Sequence, residues 1–134
     1  MNFFKACQIS DASKGSLSSY AWSLMVIHYL QNISPPILPV LQEPEKGSRP
    51  QFGVNGWNVW FRKDVKSTEQ PANPSTLTQL FKGFFIYYAN FKFDEKVITI
   101  RAKGTLSKFQ KNWHNCMMAI EGKILFRLLW AHQR

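Results

Sequence analysis

A long apolar segment with polar boundaries restricts the fold of this chain more than any other feature. Residues 17–30 are apolar or aromatic on nearly every side. Their helical spacing predicts a common face for Leu17, Tyr20, Ala21, Leu24, Met25 and His28. Serine hydroxyls before the segment suit the unbonded amides of a first helical turn, and Pro35 and Pro36 prevent the helix from continuing. The segment therefore predicts a buried helix against which the other elements pack.

Two further patterns predict a second helix and a short strand. The second helix begins at a Ser75 cap, and its apolar stripe, which we expect to be core, contains Leu77, Leu80, Phe81, Phe84, Phe85, Tyr88 and Phe91. Gly83 lies within this helix at a cost of about 1 kcal/mol relative to alanine, so another element should pack closely there. Residues 95–101 alternate with the period of a strand, which places Val97 and Thr99 on one face.

The remaining chain contributes short strands and loops. Aromatic and β-branched runs predict strands over residues 57–61 and 117–120. Residues 35–44 are rich in proline, and we expect an extended segment laid across the core. The predicted fold class is α+β and mainly helical, with a buried central helix, a second amphipathic helix and a few short strands. At 134 residues the chain fits one domain or part of one.

The charge balance indicates a polyanionic partner. The chain has a net charge of +9, which attracts nucleic acid or a nucleotide before any other partner. Lysine and arginine neutralise RNA phosphates whatever the base sequence. The candidates for such contacts are Lys92, Lys96, Arg101, Lys103 and Lys108, with Lys111 in the same run. A solvated basic face that only aids solubility is the alternative.

The cysteine content and the apolar segments exclude several classes of protein. Two cysteines form no disulfide framework and suit a reducing compartment, which we expect to be the cytoplasm, with nucleus or mitochondrion as alternatives. No Cys and His residues have a recognised metal-ligand spacing, so no metal site is predicted in this chain. The N-terminal residues lack the core of a secretory signal, and the apolar helix is shorter than the ~20 residues of a membrane span. No membrane partner is expected.

Two stretches of the sequence carry a family signature. The first reads DASKGSLSSYAWSLMVIHYLQ and is followed by PPILPVLQ, and the second reads LTQLFKGFFIYYANFKFDEKVITIR. They resemble the terminal uridylyltransferases and cytoplasmic-type poly(A) polymerases, which are RNA nucleotidyltransferases with a polymerase-beta-like catalytic domain. The second stretch is similar to the poly(A)-polymerase-associated region of that family. The matches keep the family's order and span most of residues 3–121.

The resemblance implies a nucleotide site at the start of the first helix. It implies that Lys5 and Ser19 contact the triphosphate of UTP or ATP, that Ser18 belongs to the same hydroxyl-bearing start, and that Tyr20 stacks on the base. A helix N-terminus holds phosphate through its amides and its partial positive charge, which agrees with this placement. Without the resemblance the same residues are more often structural, because serine caps occur on most helices.

Two departures from the family pattern limit the activity that we expect. The sequence lacks the glycine-serine turn and the D-x-D carboxylates that hold Mg²⁺ or Mn²⁺ in the complete enzyme. We therefore expect a partial domain that is inactive without a separate N-terminal catalytic domain. After Glu121 the family's I-E-D-P-F is replaced, and His132 lies in the wrong context for the histidine that favours uracil. The preference for uridine or adenine is thus open.

The predicted function is that of a fragment of an RNA 3′ uridylyltransferase that contributes nucleoside-triphosphate and RNA binding. The predicted organisation is one nucleotide-binding central domain over residues 1–134, with the poly(A)-polymerase-associated region at 74–121 and a divergent tail at 122–134. The expected partners are RNA 3′ ends, the nucleoside triphosphate and the missing catalytic domain. The alternatives are a poly(A) polymerase fragment, a non-catalytic module that binds RNA or protein, and a truncated product without a function of its own.

Overall fold

The computed structural model of the chain describes residues 17–43, 60–63, 72–113 and 118–121. Their elements, in chain order, are helix α1 (Ser19–Asn32), helix α2 (Leu77–Ala89), strand β1 (Lys96–Thr99), strand β2 (Leu106–Ser107), helix α3 (Lys108–Lys111) and strand β3 (Ala119–Glu121). This mixture of helices with a small sheet agrees with the predicted α+β class. Within the described residues, no helix has the length and apolarity that crossing a membrane requires.

Helix α1 is the buried helix that the apolar segment predicts. It begins after Ser18, whose hydroxyl oxygen accepts a hydrogen bond from the Ala21 amide at 3.2 Å. The predicted face is buried at Ala21, Leu24, Met25 and His28. Tyr20, which the periodicity placed on that face, is 46% exposed. Ala21, the next residue of the same turn, is 0% exposed, so Tyr20 lies at the edge of the buried face.

Helix α2 begins one residue later than predicted and buries only part of its apolar stripe. Thr76 is the N-cap in place of Ser75. The Thr76 hydroxyl oxygen accepts a hydrogen bond from the backbone amide of Gln79, and Gln79 Oε1 accepts one from the backbone amide of Thr76. These two bonds form a capping box. Two stripe residues are buried, Phe84 and Tyr88. The stripe residues exposed by more than a third are Leu77, Phe81 and Phe85. The expectation that the whole stripe is core is wrong, because these side chains keep much of their surface in solvent.

Gly83 allows α2 to approach α1 closely. A Cβ atom at this position would collide with the phenolic oxygen of Tyr29, a residue that is 6% exposed. The Tyr29 ring is held edge-on by the rings of Phe84 and Tyr87, whose centroids lie 5.8 and 5.6 Å away. The close packing predicted at this glycine is confirmed.

A three-stranded sheet packs against α1. Strand β1 is central, antiparallel to β2 and parallel to β3. Val97, Ile98 and Thr99 are at most 1% exposed, so both faces of β1 are covered. The strand predicted over residues 117–120 is observed as β3, whereas the two residues of β2 gave no periodic signal. The buried cluster shared by helices and sheet contains Ala21, Leu24, Met25, Tyr29, Phe84, Tyr88, Ile98 and Ile120.

The proline-rich segment after α1 has no regular secondary structure in residues 35–43, in agreement with the prediction. Its start is attached to the helix, because the Leu30 carbonyl accepts the amide of Ile37 at 2.9 Å. Further along, the Leu41 carbonyl accepts the Arg62 amide at 2.7 Å. The strand predicted over residues 57–61 lies mostly outside the described residues, and its last two residues are not in a strand.

Candidate nucleotide and RNA site

The first turn of α1 contains three of the four predicted nucleotide contacts. Ser18, Ser19 and Tyr20 follow one another there, whereas Lys5 lies outside the described residues. The Ser18 oxygen accepts the hydrogen bond of the cap, which leaves its O–H group as a donor. Ser19 and Tyr20 are both exposed. The turn therefore combines hydroxyl groups with an accessible aromatic ring.

The electrostatics of this turn favour an anion. The aligned peptide dipoles place roughly half a positive charge at the start of a helix. The first turn of α1 contains no acidic residue that would neutralise this charge. A phosphate group suits such a helix start, and an exposed ring beside it suits a base.

The last turns of α1 bind the end of β1 through a buried histidine. His28 is 0% exposed, and its Nδ1 lies 2.6 Å from the Thr99 carbonyl oxygen. The Tyr87 hydroxyl lies 3.0 Å from Nε2. Because a carbonyl can only accept, the network assigns the proton to Nδ1 and leaves Nε2 to accept from Tyr87. Burial lowers the pKa of His28, although the bond to Thr99 opposes that shift, so the neutral ring is favoured.

The side-chain amides of two residues at the end of α1 fix the loop that joins β1 to β2. We call this loop, residues 100–105, the basic loop. Asn32 Oδ1 accepts the Gly104 amide at 2.7 Å, and Asn32 Nδ2 donates to the His28 carbonyl at 2.8 Å. Gln31 Nε2 donates to the Ile100 carbonyl at 3.4 Å. Gly104 has φ +85°, a conformation that favours glycine. The basic loop is thus held by the helix that has the nucleotide candidates at its other end.

A buried tyrosine joins α2 to the middle of α1. The Tyr88 hydroxyl donates to the Met25 carbonyl oxygen at 2.7 Å. Burial raises the pKa of Tyr88, and the neighbouring Tyr87 adds to the shift. Burial also raises the pKa of Tyr87. Both phenols therefore act as neutral hydrogen-bonding groups and not as acids or bases.

The predicted RNA-binding cations differ in their surroundings. Lys96 and Lys103 are exposed. Lys92 is exposed as well and forms a surface ion pair with Glu95 at 3.4 Å, a kind of pair that contributes little. Lys108 is 2% exposed, so it does not share their access to solvent. An RNA contact by Lys108 would require the side chain to leave the interior, and its burial argues against that prediction.

A carboxylate at the end of β3 engages two further cations. Glu121 Oε1 lies 2.9 Å from Lys111 Nζ and 3.7 Å from Arg101 Nη1. Thr99, its register partner on β1, donates its hydroxyl to Glu121 Oε2 at 3.0 Å. The Glu121 side chain is 11% exposed, so this cluster is better shielded from water than the Lys92 pair. Arg101, predicted to bind RNA, therefore has a structural partner.

Sequence reasoning missed the residues that organise this region. The network of His28 and Asn32 gives no local signal, because the Thr99 and Gly104 groups that they bind are about seventy residues away. Glu121 had a signal, since a lone carboxylate after an apolar strand must find a cation once it is buried. In the described part of the chain, no three His, Cys, Asp or Glu side chains are placed to hold a metal ion.

Comparison with known proteins agrees with the resemblance. The family model described as Cid1 family poly A polymerase matches residues 76–129. Human terminal uridylyltransferase 7 is 43% identical over 126 residues, which cover 89% of this chain and 8% of that protein. Poly(A) RNA polymerase GLD2 of Danio rerio is 39% identical over 119 residues, which cover 84% of this chain and 23% of that protein.

The fold is similar to that of a solved relative. A structure of Cid1 in complex with the UTP analogue UMPNPP superposes with a TM-score of 0.77 at 36% identity, and the match covers 89% of this chain and 39% of that chain. The present chain therefore spans well under half the length of the relatives that it matches.

Proposed function

Because the chain belongs to the family of terminal uridylyltransferases and Cid1-type poly(A) polymerases, we propose that it is a fragment of an RNA 3′ uridylyltransferase that binds nucleoside triphosphate and RNA. The observation that carries the proposal is the composition of the first turn of α1. Ser18 caps this turn, the turn contains no acidic residue, and Tyr20 within it is 46% exposed. Uridine is the proposed base because the uridylyltransferase is the more similar relative, at 43% identity against 39% for GLD2.

In this proposal the triphosphate lies at the N-terminus of α1. The hydroxyl groups of Ser18 and Ser19 donate to phosphate oxygens, and Lys5 supplies a positive charge. The ring of Tyr20 stacks on the base and contributes about 1–3 kcal/mol, the range found for base–aromatic stacking. Since every base has a π-face, stacking alone does not select UTP over ATP.

RNA binds in this proposal through exposed cations. Lys96 and Lys103 contact phosphates, with Lys92 and Arg101 as further candidates whose carboxylate partners weaken them. Such contacts orient the strand and carry no base information. Each of them should contribute about 0.7 to the slope of log affinity against log salt for a single strand.

The described residues do not fit a divalent metal. They offer no cluster of three His, Cys, Asp or Glu side chains, and nucleotidyl transfer of this kind relies on carboxylates that hold Mg²⁺ or Mn²⁺. We therefore place the chemical step in a separate catalytic domain and expect the chain alone to bind nucleotide without transferring it.

Titration of labelled UTP and ATP into the 134-residue chain tests the nucleotide site. Tyr20→Ala should weaken both nucleotides by about 5-fold to about 150-fold, the equivalent of the stacking energy. Tyr20→Phe should retain the affinity, because the ring is kept. A tighter UTP than ATP complex supports the uridylyltransferase proposal, and the reverse order supports a poly(A) polymerase fragment.

Phe81→Ala is the matched control, because Phe81 lies on α2 and is 47% exposed, against 46% for Tyr20. It should leave nucleotide affinity unchanged. If Tyr20→Ala binds UTP as tightly as the unaltered chain, the stacking role is wrong. If the unaltered chain binds RNA but neither nucleotide, the non-catalytic RNA-binding module replaces the present proposal.

A further inference from the structure

Phe109 is the most exposed of the large apolar side chains in the described residues. It lies on α3, directly after β2, and it is 85% exposed. Its neighbour Lys108 is 2% exposed on the same turn. The turn thus directs a cationic side chain inward and an aromatic ring outward, the reverse of the usual preference of the two residue types.

The turn that presents Phe109 is closed at both ends. The Ser107 hydroxyl oxygen accepts the Phe109 amide at 3.2 Å. Asn112 adopts φ 56°, in the left-handed region, and donates its amide to the Phe109 carbonyl at 3.1 Å. The Trp113 amide donates to the Lys108 carbonyl at 2.9 Å. A ring on a fixed backbone loses only its own rotational freedom when it binds a partner.

The strand next to this ring carries an exposed lysine. Strand pairing places exposed Lys96 opposite Ser107, two residues before Phe109, and the Lys108 amide donates to the Glu95 carbonyl at 2.9 Å. Between residues 92 and 111 six lysines and arginines accompany two carboxylates. Lys108 is buried, and Lys92, Arg101 and Lys111 pair with Glu95 or Glu121, so the charge argument rests on the exposed Lys96 and Lys103. Exposed aromatic rings beside cations are the combination by which proteins bind single-stranded nucleic acid without strong sequence preference.

We propose that Phe109 stacks on a base of single-stranded RNA while Lys96 contacts a neighbouring phosphate. The proposal rests on the RNA binding proposed above and adds a base contact separate from Tyr20. A protein partner would also accept an exposed phenylalanine. The net charge of +9 favours RNA, because the bases of RNA can stack on the ring while its phosphates contact the exposed lysines.

Binding of a labelled oligo(U) strand to the 134-residue chain at several salt concentrations tests the proposal. Phe109→Ala should weaken binding by about 5-fold to about 150-fold at every salt concentration. The salt slope should not change, because the ring carries no charge. Lys96→Ala should instead reduce the slope by about 0.7. Phe109→Trp should retain the affinity, and Phe109→Leu, which is apolar without a π-face, should lose it.

Leu77→Ala is the matched control, because Leu77 is an apolar residue on α2 that is 83% exposed. It should bind oligo(U) as the unaltered chain does. On an abasic strand of equal length the Phe109→Ala defect should vanish. Unchanged oligo(U) affinity in Phe109→Ala would overturn this inference alone, whereas failure of the unaltered chain to bind RNA would overturn the proposed RNA binding with it. Nucleotide titration of Tyr20→Ala is independent of both outcomes.

Discussion

Replacing Gly83 by alanine perturbs a close approach between the two long helices. In an exposed helix this substitution stabilises by about 1 kcal/mol, because glycine loses more backbone freedom on folding. Here the new methyl group would collide with the phenolic oxygen of Tyr29. That ring is 6% exposed and packs against Phe84 and Tyr87, so it has little room to turn away.

The expected magnitude follows from two opposing effects. Overpacking of a core costs about 1–3 kcal/mol, and the helix propensity of alanine offsets about 1 kcal/mol of that cost. Gly83→Ala should therefore lower the free energy of unfolding by about 0–2 kcal/mol. Tyr29→Phe removes the colliding atom and keeps the ring, whose Cζ lies 3.4 Å from the ideal Cβ position. In that background Gly83→Ala should stabilise by about 1 kcal/mol.

The assay is urea unfolding of the unaltered chain, both single variants and the double variant, followed by tryptophan fluorescence. The coupling free energy of the two sites should be about 1–3 kcal/mol, in favour of the double variant. A two-state transition in all four proteins is the condition for this comparison. The reasoning is refuted if Gly83→Ala has the same effect whether residue 29 is tyrosine or phenylalanine.

Two further predictions concern the polar groups of α1. Burial lowers the pKa of His28 below the 6.5 of an exposed histidine, so the unfolded chain takes up this proton first as the pH falls, and the free energy of unfolding should decline below about pH 6.5. Urea midpoints measured between pH 5 and pH 8 should show a shallower decline for His28→Gln than for the unaltered chain. An equal decline would contradict the buried neutral ring. Asn32→Ala removes the acceptor of the Gly104 amide and should lower the free energy of unfolding by about 1–3 kcal/mol. Hydrogen exchange at the Gly104 amide should become faster. Unchanged exchange would show that the basic loop does not depend on this bond.

Three of the four nucleotide candidates follow one another along the chain, and the family resemblance gave them their roles. A serine cap, an adjacent tyrosine and an apolar helix are local features, and the structure describes Ser18, Ser19 and Tyr20 on one turn. The degree of exposure was not a local feature. Periodicity placed Tyr20 on the buried face, yet it is 46% exposed while the next residue, Ala21, is fully buried. A repeat of 3.6 residues predicts the centre of a buried face and does not reveal how far the face extends around the helix.

The RNA candidates illustrate the opposite case. The run of lysines was evident from composition, but their environments depend on contacts between distant residues. Lys108 is buried on the short turn that follows the two-residue strand β2, which pairs with β1. Arg101 has Glu121 as a partner because β3, which ends at Glu121, also pairs with β1. Elements of that length contain no periodic pattern, so only the packed structure distinguishes an inward lysine from an outward phenylalanine such as Phe109.

By itself the sequence determined the buried helix, its serine start and its proline end, the position of β1 and the need for close packing at Gly83, because each depends on residues within one or two turns of each other. The tertiary structure alone decided which part of the apolar stripe of α2 is core, which cations reach solvent, and that His28 and Asn32 hold the basic loop. These outcomes depend on hydrogen bonds, ion pairs and packing between segments that are distant along the chain, such as Asn32 with Gly104 or Arg101 with Glu121, and no local pattern specifies which segments meet.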